Sequence, residues 1–168
     1  MAPRPAVWLR LAKKASGIPS VSYDEALEVA LCYGWIDGQK RSESENCWLQ
    51  KFAPRSKSSI WSKLNREKVL ALIDAGRMKP AGLDEIERAK RNGRWDAAYD
   101  SPRRATVPHD FQAALDENPR AKASFAALDS RNRYAVLFRI QTAKKPETRA
   151  KRIQQFVQMV EKNEKLHP

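Results

Sequence analysis

Tyr33-Gly34-Trp35-Ile36-Asp37-Gly38-Gln39-Lys40, the polar run Arg41-Ser42-Glu43-Ser44-Glu45-Asn46 and Cys47-Trp48-Leu49-Gln50-Lys51-Phe52 form the stretch on which the fold turns. Before it the apolar residues recur at helical spacing; within it that period is lost and turn chemistry takes over. The stretch reads as a hairpin, one strand over residues 35–40 and another over 47–52, joined by an exposed charged loop. On its upstream side, Ser22 stands three residues before Glu25, the spacing of a capping box, and Tyr23, Ala26, Leu27, Ala30 and Leu31 line one helical face. Asp24, Glu25 and Glu28 lie where negative charge suits the positive end of a helix, and Gly34 is its expected stop. Earlier still, Val7, Leu9 and Leu11 alternate around Arg10, which predicts a short strand with Trp8 on its second face, followed by a turn at Ser16-Gly17-Ile18-Pro19.

Downstream, Pro54-Arg55-Ser56-Lys57-Ser58-Ser59 is a basic, hydroxyl-rich connector into a helix over about 60–75, with Gly76 as its stop. A shorter helix over 83–91 follows, closed by Gly93. Pro102, Asp100-Ser101 and Arg103-Arg104, with Pro108 just after them, mark residues 96–107 as a linker. Beyond it Pro108, Pro119 and Pro146 suit first helical turns and divide the remainder into helices near 109–117, 119–128, 131–144 and 147–163. The last sets Ala150, Ile153, Val157 and Val160 on one packing stripe. The expected architecture is α+β but mostly α: a small antiparallel sheet with packed helices over 1–95, the linker, and a helical module over 108–168.

Composition narrows the function. The 168 residues carry 32 Lys+Arg against 20 Asp+Glu, a formal +12, and 42% hydrophobic residues including five Trp, which is ample for a core. No apolar stretch approaches the ~20 residues of a membrane span. The opening Met1-Ala2-Pro3-Arg4-Pro5 has no apolar leader segment, so a cytoplasmic protein is expected. Cys32 and Cys47 suggest neither a disulfide scaffold nor a zinc site, and His109 and His167 supply no triad or metal cluster. No metal, cofactor or catalytic set is expected, and enzymatic activity is disfavoured.

Three constellations remain. At the hairpin bend, Trp35, Asp37 and Lys40 stand over a shared pocket or, alternatively, serve turn and core geometry alone. In the connector, Arg55, Lys57, Ser58 and Ser59 precede a helix whose free N–H groups suit an anion; the alternative is that Ser58 or Ser59 only caps it. Trp61 and Asn65 lie just beyond. Third, residues 131–152 hold Arg131, Arg133, Arg139, Lys144, Lys145, Arg149, Lys151 and Arg152 against Glu147 alone, more than half of the net charge. Such a belt attracts phosphates by counterion release, although most charge runs are solvated faces. Tyr134 and Phe138 within it read as the buried side of the helix.

Lys13-Lys14-Ala15-Ser16-Gly17, Gly34-Trp35-Ile36-Asp37-Gly38, Phe52-Ala53-Pro54-Arg55, Gly76-Arg77-Met78-Lys79-Pro80-Ala81-Gly82 and Ala143-Lys144-Lys145-Pro146-Glu147-Thr148-Arg149 appear in this order. Together with 22–31 and 59–65 they resemble the YdeI/OmpD-associated family over nearly the whole chain. Its members are also labelled bacteriocin-protection proteins, and their helical C-terminal part is the OmdA domain. The resemblance implies protection against bacteriocins or antimicrobial peptides and a porin partner, and it brings no established catalytic residues. Relatives begin further upstream of Trp8 and often carry a second Arg after the position of Arg55.

The leading expectation is therefore a non-enzymatic cytoplasmic binding or stress-protection protein. It favours an anionic partner, nucleic acid or a phosphorylated ligand, held by Arg55, Lys57, Ser58, Ser59, Arg139, Lys144, Lys145, Arg149 and Arg152. The alternative is a small-molecule site or enzyme between the 35–40 bend and the 54–65 segment, with Trp35, Asp37, Lys40, Arg55, Trp61 and Asn65 converging on one cavity.

Overall fold

In the computed structural model, which describes residues 6–168, the early alternation forms β1 (Val7–Ala12). The opening residues 1–5, on which the expectation of no leader rests, lie outside the described residues. The capping box closes as its spacing requires: the Ser22 hydroxyl accepts from the Glu25 N–H at 3.2 Å and the Glu25 carboxylate accepts from the Ser22 N–H at 2.8 Å. These bonds to Ser22 hold the Glu25 carboxyl below its usual range. Helix α1 (Tyr23–Cys32) follows, with Leu27, Leu31 and Cys32 buried.

The hairpin comprises β2 (Trp35–Ser42) and β3 (Cys47–Pro54), and β3 is central in a three-stranded antiparallel sheet ordered β1-β3-β2. Trp8 faces Lys51 and Leu11 faces Trp48 across one ladder; Asp37 faces Phe52 and Lys40 faces Gln50 across the other, with an irregularity between them. That bulge puts Asp37 and Lys40 on one sheet face although three residues separate them. Buried Gln50 completes it, its amide donating to the carbonyls of Gly38 at 3.0 Å and Gln39 at 3.3 Å.

Helices α2 (Lys63–Asp74) and α3 (Pro80–Arg91) complete the first of two compact units, which divide between Ala98 and Tyr99. Leu27, Leu31, Phe52, Trp61, Val69, Leu72, Ile86 and Trp95 form its core. Gly34 takes a left-handed φ of +75°, and a Cβ there would stand 2.8 Å from the Ala81 carbonyl oxygen, so glycine answers both the turn and the approach of α3.

The second unit is helical: α4 (His109–Asp116), α5 (Pro119–Ala126), α6 (Ser130–Gln141) and α7 (Pro146–Glu161). Pro119 and Pro146 open their helices as the first-turn rule predicts, whereas Pro108 stands one place earlier as the cap of α4. Phe111, Leu115, Phe125, Val136, Ile140, Phe156 and Val160 make a separate core. Residues from the expected linker are divided between the units. Ala98 belongs to the first core, while Tyr99 packs edge-on against Phe138 at 4.9 Å and Ala105 and Val107 lean on the second. Among the described residues, no helix is long and apolar enough to cross a membrane.

Candidate functional site

In the connector, Arg55 is the organising residue. Its N–H donates to the Gly34 carbonyl at 3.0 Å, and its buried guanidinium lies 3.6 Å from the Trp61 ring centroid while donating to the Ile60 carbonyl at 3.1 Å. Trp61 in turn meets Trp95 edge-on at 5.2 Å. Two further arginines fasten the loop from α3 and beyond: Arg88 donates to the Ser56 carbonyl at 2.9 Å and pairs with Glu85, and Arg94 donates to the Lys57 carbonyl. Burial pushes the Glu85 carboxyl up, although Arg88 and Arg55 pull the other way. A cavity of about 10 Å³ is left, lined by Arg55, Ser56, Ser59, Trp61, Glu85, Arg88, Ala89, Asn92 and Arg94, which is close to the minimum for one water molecule.

The serines differ from expectation. Ser59 Oγ accepts from the Ser56 N–H at 2.9 Å, and the Ser56 hydroxyl lies 3.0 Å from that of Ser58 and 3.1 Å from that of Ser59. The cap of α2 is Ser62, whose hydroxyl accepts from the Asn65 N–H at 3.1 Å. The reason is Trp61: seated on Arg55 and Trp95, it keeps the chain extended through Ser62 (φ −90°, ψ 150°), so the helix starts at Lys63 and not near 60. Ser58 and Ser59 therefore shape the turn before the helix. Lys57 is exposed on that turn.

The bend residues take other partners. Asp37 accepts from the Tyr23 hydroxyl at 2.8 Å, the Lys40 ammonium lies 4.2 Å from the Trp48 ring centroid, and the Tyr23 and Trp48 rings are 6.1 Å apart. Trp35 is half-buried against the first core, and Asn65 is half-buried in the first turn of α2. Arg55 and Trp61 are thus brought together. Asp37 and Lys40 join Tyr23 and Trp48 instead, because the bulge turns both toward the face they share with Gln50 and Phe52. Trp35, Asp37, Lys40 and Asn65 do not line the cavity at Trp61.

In the second unit the basic belt is partly consumed by the fold. Arg149 grips Asp110 with two nitrogens, at 2.6 and 2.8 Å, and its third donates to the Ile140 carbonyl at 2.9 Å. Arg152 donates to the Arg139 carbonyl, and Arg139 to the Ala135 carbonyl at 3.1 Å. The Arg139 and Ile140 carbonyls lie in the last turn of α6, where carbonyls lack helical partners and the dipole favours cations. The Arg149 pair holds the Asp110 carboxyl below its usual range. Arg133 lies 4.6 Å from the Phe125 ring centroid, whereas Arg131, Lys144, Lys145 and Lys151 remain exposed.

An open groove of about 690 Å³ was not foreseen. Ala114, Ala150, Ile153 and Val157 give it an apolar floor, with Asp110 and Arg149 as well as Glu117 and Glu161 among its lining. Ile153 and Val157 were expected inside the core as the packing stripe of the last helix; Val160 is buried, but these two are half-buried and Ala150 is exposed. A helical wheel shows which residues share a face, but not how much of that face a neighbour covers. Among the described residues, no group of three or more His, Cys, Asp or Glu is placed to hold a metal ion. Cys32 and Cys47 are free and buried.

Residues 1–85 match the family described as "Domain of unknown function (DUF8412)". Residues 104–163 match the one described as "Bacteriocin-protection, YdeI or OmpD-Associated", the OmdA domain. Comparison with curated proteins and with solved structures finds no match.

Proposed function

The chain belongs to the YdeI/OmpD-associated family, with an OmdA domain over 104–163 behind a DUF8412 domain, and from that premise we propose that it is a non-enzymatic cytoplasmic binding protein for an anionic partner. A stress-protection role, of which the bacteriocin protection in the OmdA description would be one form, is the biological setting of that proposal. The carrying observation is the cation surplus that survives folding. Arg139, Arg149 and Arg152 are taken up by backbone carbonyls and Asp110, yet Lys144, Lys145 and Lys151 stand exposed around the start of α7. Lys144 and Lys145 lie just before its first turn, where helix N–H groups add to the positive potential.

The test is retention of nucleic acid and of heparin by the full chain across a salt series. Binding that weakens steeply as salt rises from about 50 to 200 mM, and that falls in a Lys144→Glu/Lys145→Glu/Lys151→Glu variant, supports the reading. No retention of either polyanion at ~50 mM overturns it, because phosphate contacts are strongest there.

A small-molecule site is the second reading, and the α4–α7 groove favours it: its volume falls within the range of ligand pockets and its floor is apolar. The cavity at Trp61 is too small for that role. Compounds that raise the melting temperature of wild-type protein, but not of an Ile153→Lys variant, are the expected result. A screen in which no compound separates the two removes it.

A further inference from the structure

Side chains alternate across a strand, so the sheet has two faces with different company. One carries Leu9, Leu11, Gln50 and Phe52 and joins the first core. Strand register places Trp8, Arg10, Leu49, Lys51 and Arg41 on the other: Trp8 is opposite Lys51, and Leu49 is opposite Arg10 on one side and Arg41 on the other. Side-chain contacts agree. The Arg41 guanidinium lies 4.4 Å from the Trp8 ring centroid, reaching across the central strand, and the Lys51 ammonium is 5.9 Å from it. Arg10, its side chain 65% exposed, bonds Glu43 at 2.6 Å from the loop at the sheet's edge.

This face therefore presents an indole overlaid by a planar guanidinium, with two further cations beside it. Turn and core requirements explain neither the Trp nor the arginine above it, since both lie away from the core. Charge complementarity calls for a polyanion, and the stacked Trp8–Arg41 pair calls for one that also carries flat π surfaces. A duplex keeps its base faces stacked inside, and a lipid headgroup or sulfated sugar has none. Single-stranded nucleic acid offers both at every nucleotide, and its bases stack on aromatic rings and on arginine planes alike.

We propose that the outward face of the β1-β3-β2 sheet binds single-stranded nucleic acid. Trp8 and the Arg41 guanidinium form the stacking platform, and Arg10 and Lys51 hold the flanking phosphates. The proposal rests on the anionic-partner reading, names the partner, and places its bases on a surface other than the lysines around the start of α7.

Fluorescence anisotropy of a labelled oligothymidylate, a duplex of equal length and labelled heparin, measured with the full chain at about 50 mM salt, tests it. The expected result is tighter binding of the single strand than of the duplex, with quenching of tryptophan emission. Trp8→Ala should weaken the single strand about ten-fold or more while leaving heparin within about two-fold, and Trp8→Phe should recover most of the loss. Arg41→Ala changes an exposed side chain, so the sheet persists and the platform is still tested; it should weaken the single strand several-fold. Equal affinity for duplex and single strand overturns the proposal. So does loss of single-strand binding in Lys144→Glu/Lys145→Glu alone, with Trp8→Ala and Arg41→Ala unchanged, and in that case the anionic-partner reading stands. Absence of binding to all three probes removes both.

Discussion

Asn132, 2% exposed, shows how a single polar side chain fastens residues 166–167 to α6. Its amide nitrogen donates to Asp129 at 2.8 Å and to the His167 carbonyl at 3.1 Å, while its oxygen accepts from the N–H groups of Leu166 at 3.0 Å and His167 at 2.9 Å. Every amide hydrogen and lone pair is used, so truncation strands backbone groups of the tail. Asn132→Ala should cost the second unit about 2–3 kcal/mol, read as a lower denaturant midpoint with the first unit's transition unmoved. Gly82 is the counterpart in the first unit. A Cβ there would run into the Cys32 carbonyl oxygen, which already accepts from the Lys79 N–H at 3.1 Å, so neither side yields cheaply. Gly82→Ala should therefore lower first-unit stability by about 1–3 kcal/mol despite the better helix propensity of alanine. A melting temperature equal to or above wild type would contradict that. Neither residue is legible from its neighbours in sequence: Asn132 meets a tail more than thirty positions away, and Gly82 meets the end of α1.

At the scale of elements, much was legible because local chemistry decides it. Alternation at residues 7–12, the Ser22–Glu25 spacing and the prolines at 119 and 146 each specify backbone geometry without tertiary help. What failed was the choice among equals. Four serines, Ser56, Ser58, Ser59 and Ser62, each suit a cap, and burial of Trp61 selects the last. Charge was misjudged for a similar reason, since a belt of arginines looks alike whether it faces water or carbonyls. The Asp110–Arg149 pair gives this a pH signature. Asp110 is held below its ordinary value of 3.8, so its contribution is present above that pH and is lost as the pH falls through the depressed value. Its side chain is 47% exposed, which limits the pair to about 0.5–1 kcal/mol. Asp110→Asn should lower second-unit stability by that amount at pH 7, and the gap to wild type should close as the pH falls below 3.8. A gap unchanged between pH 7 and the acid limit would show that the carboxylate charge is not what Arg149 uses.

For the whole molecule, two cores with no shared member imply two folding units, and the place of the cut becomes measurable. The prolines and charges around residue 100 read as a linker, with helical structure resuming at 108. Yet Tyr99 packs on Phe138, the Tyr134 hydroxyl donates to the Asp100 carbonyl at 2.9 Å, and Gln141 donates to the Asp100 carboxylate at 2.7 Å. Burial and the neighbouring Tyr99 and Asp100 push the Tyr134 hydroxyl up to about 12, as expected of a phenol enclosed by this segment. A fragment over 99–168 should accordingly unfold cooperatively on its own, whereas one over 108–168 loses the Tyr99 ring, the Asp100 bonds and the cover from Ala105 and Val107. The shorter fragment should be less stable by about 2–4 kcal/mol, a large share of what so small a domain has. Its Tyr134 should also titrate closer to 10, the ordinary tyrosine value. Circular dichroism melts and tyrosinate absorbance of the two fragments read both effects. Equal melting temperatures would return residues 99–107 to the role of a linker, and a 99–168 fragment without cooperative unfolding would show that the second core needs the first.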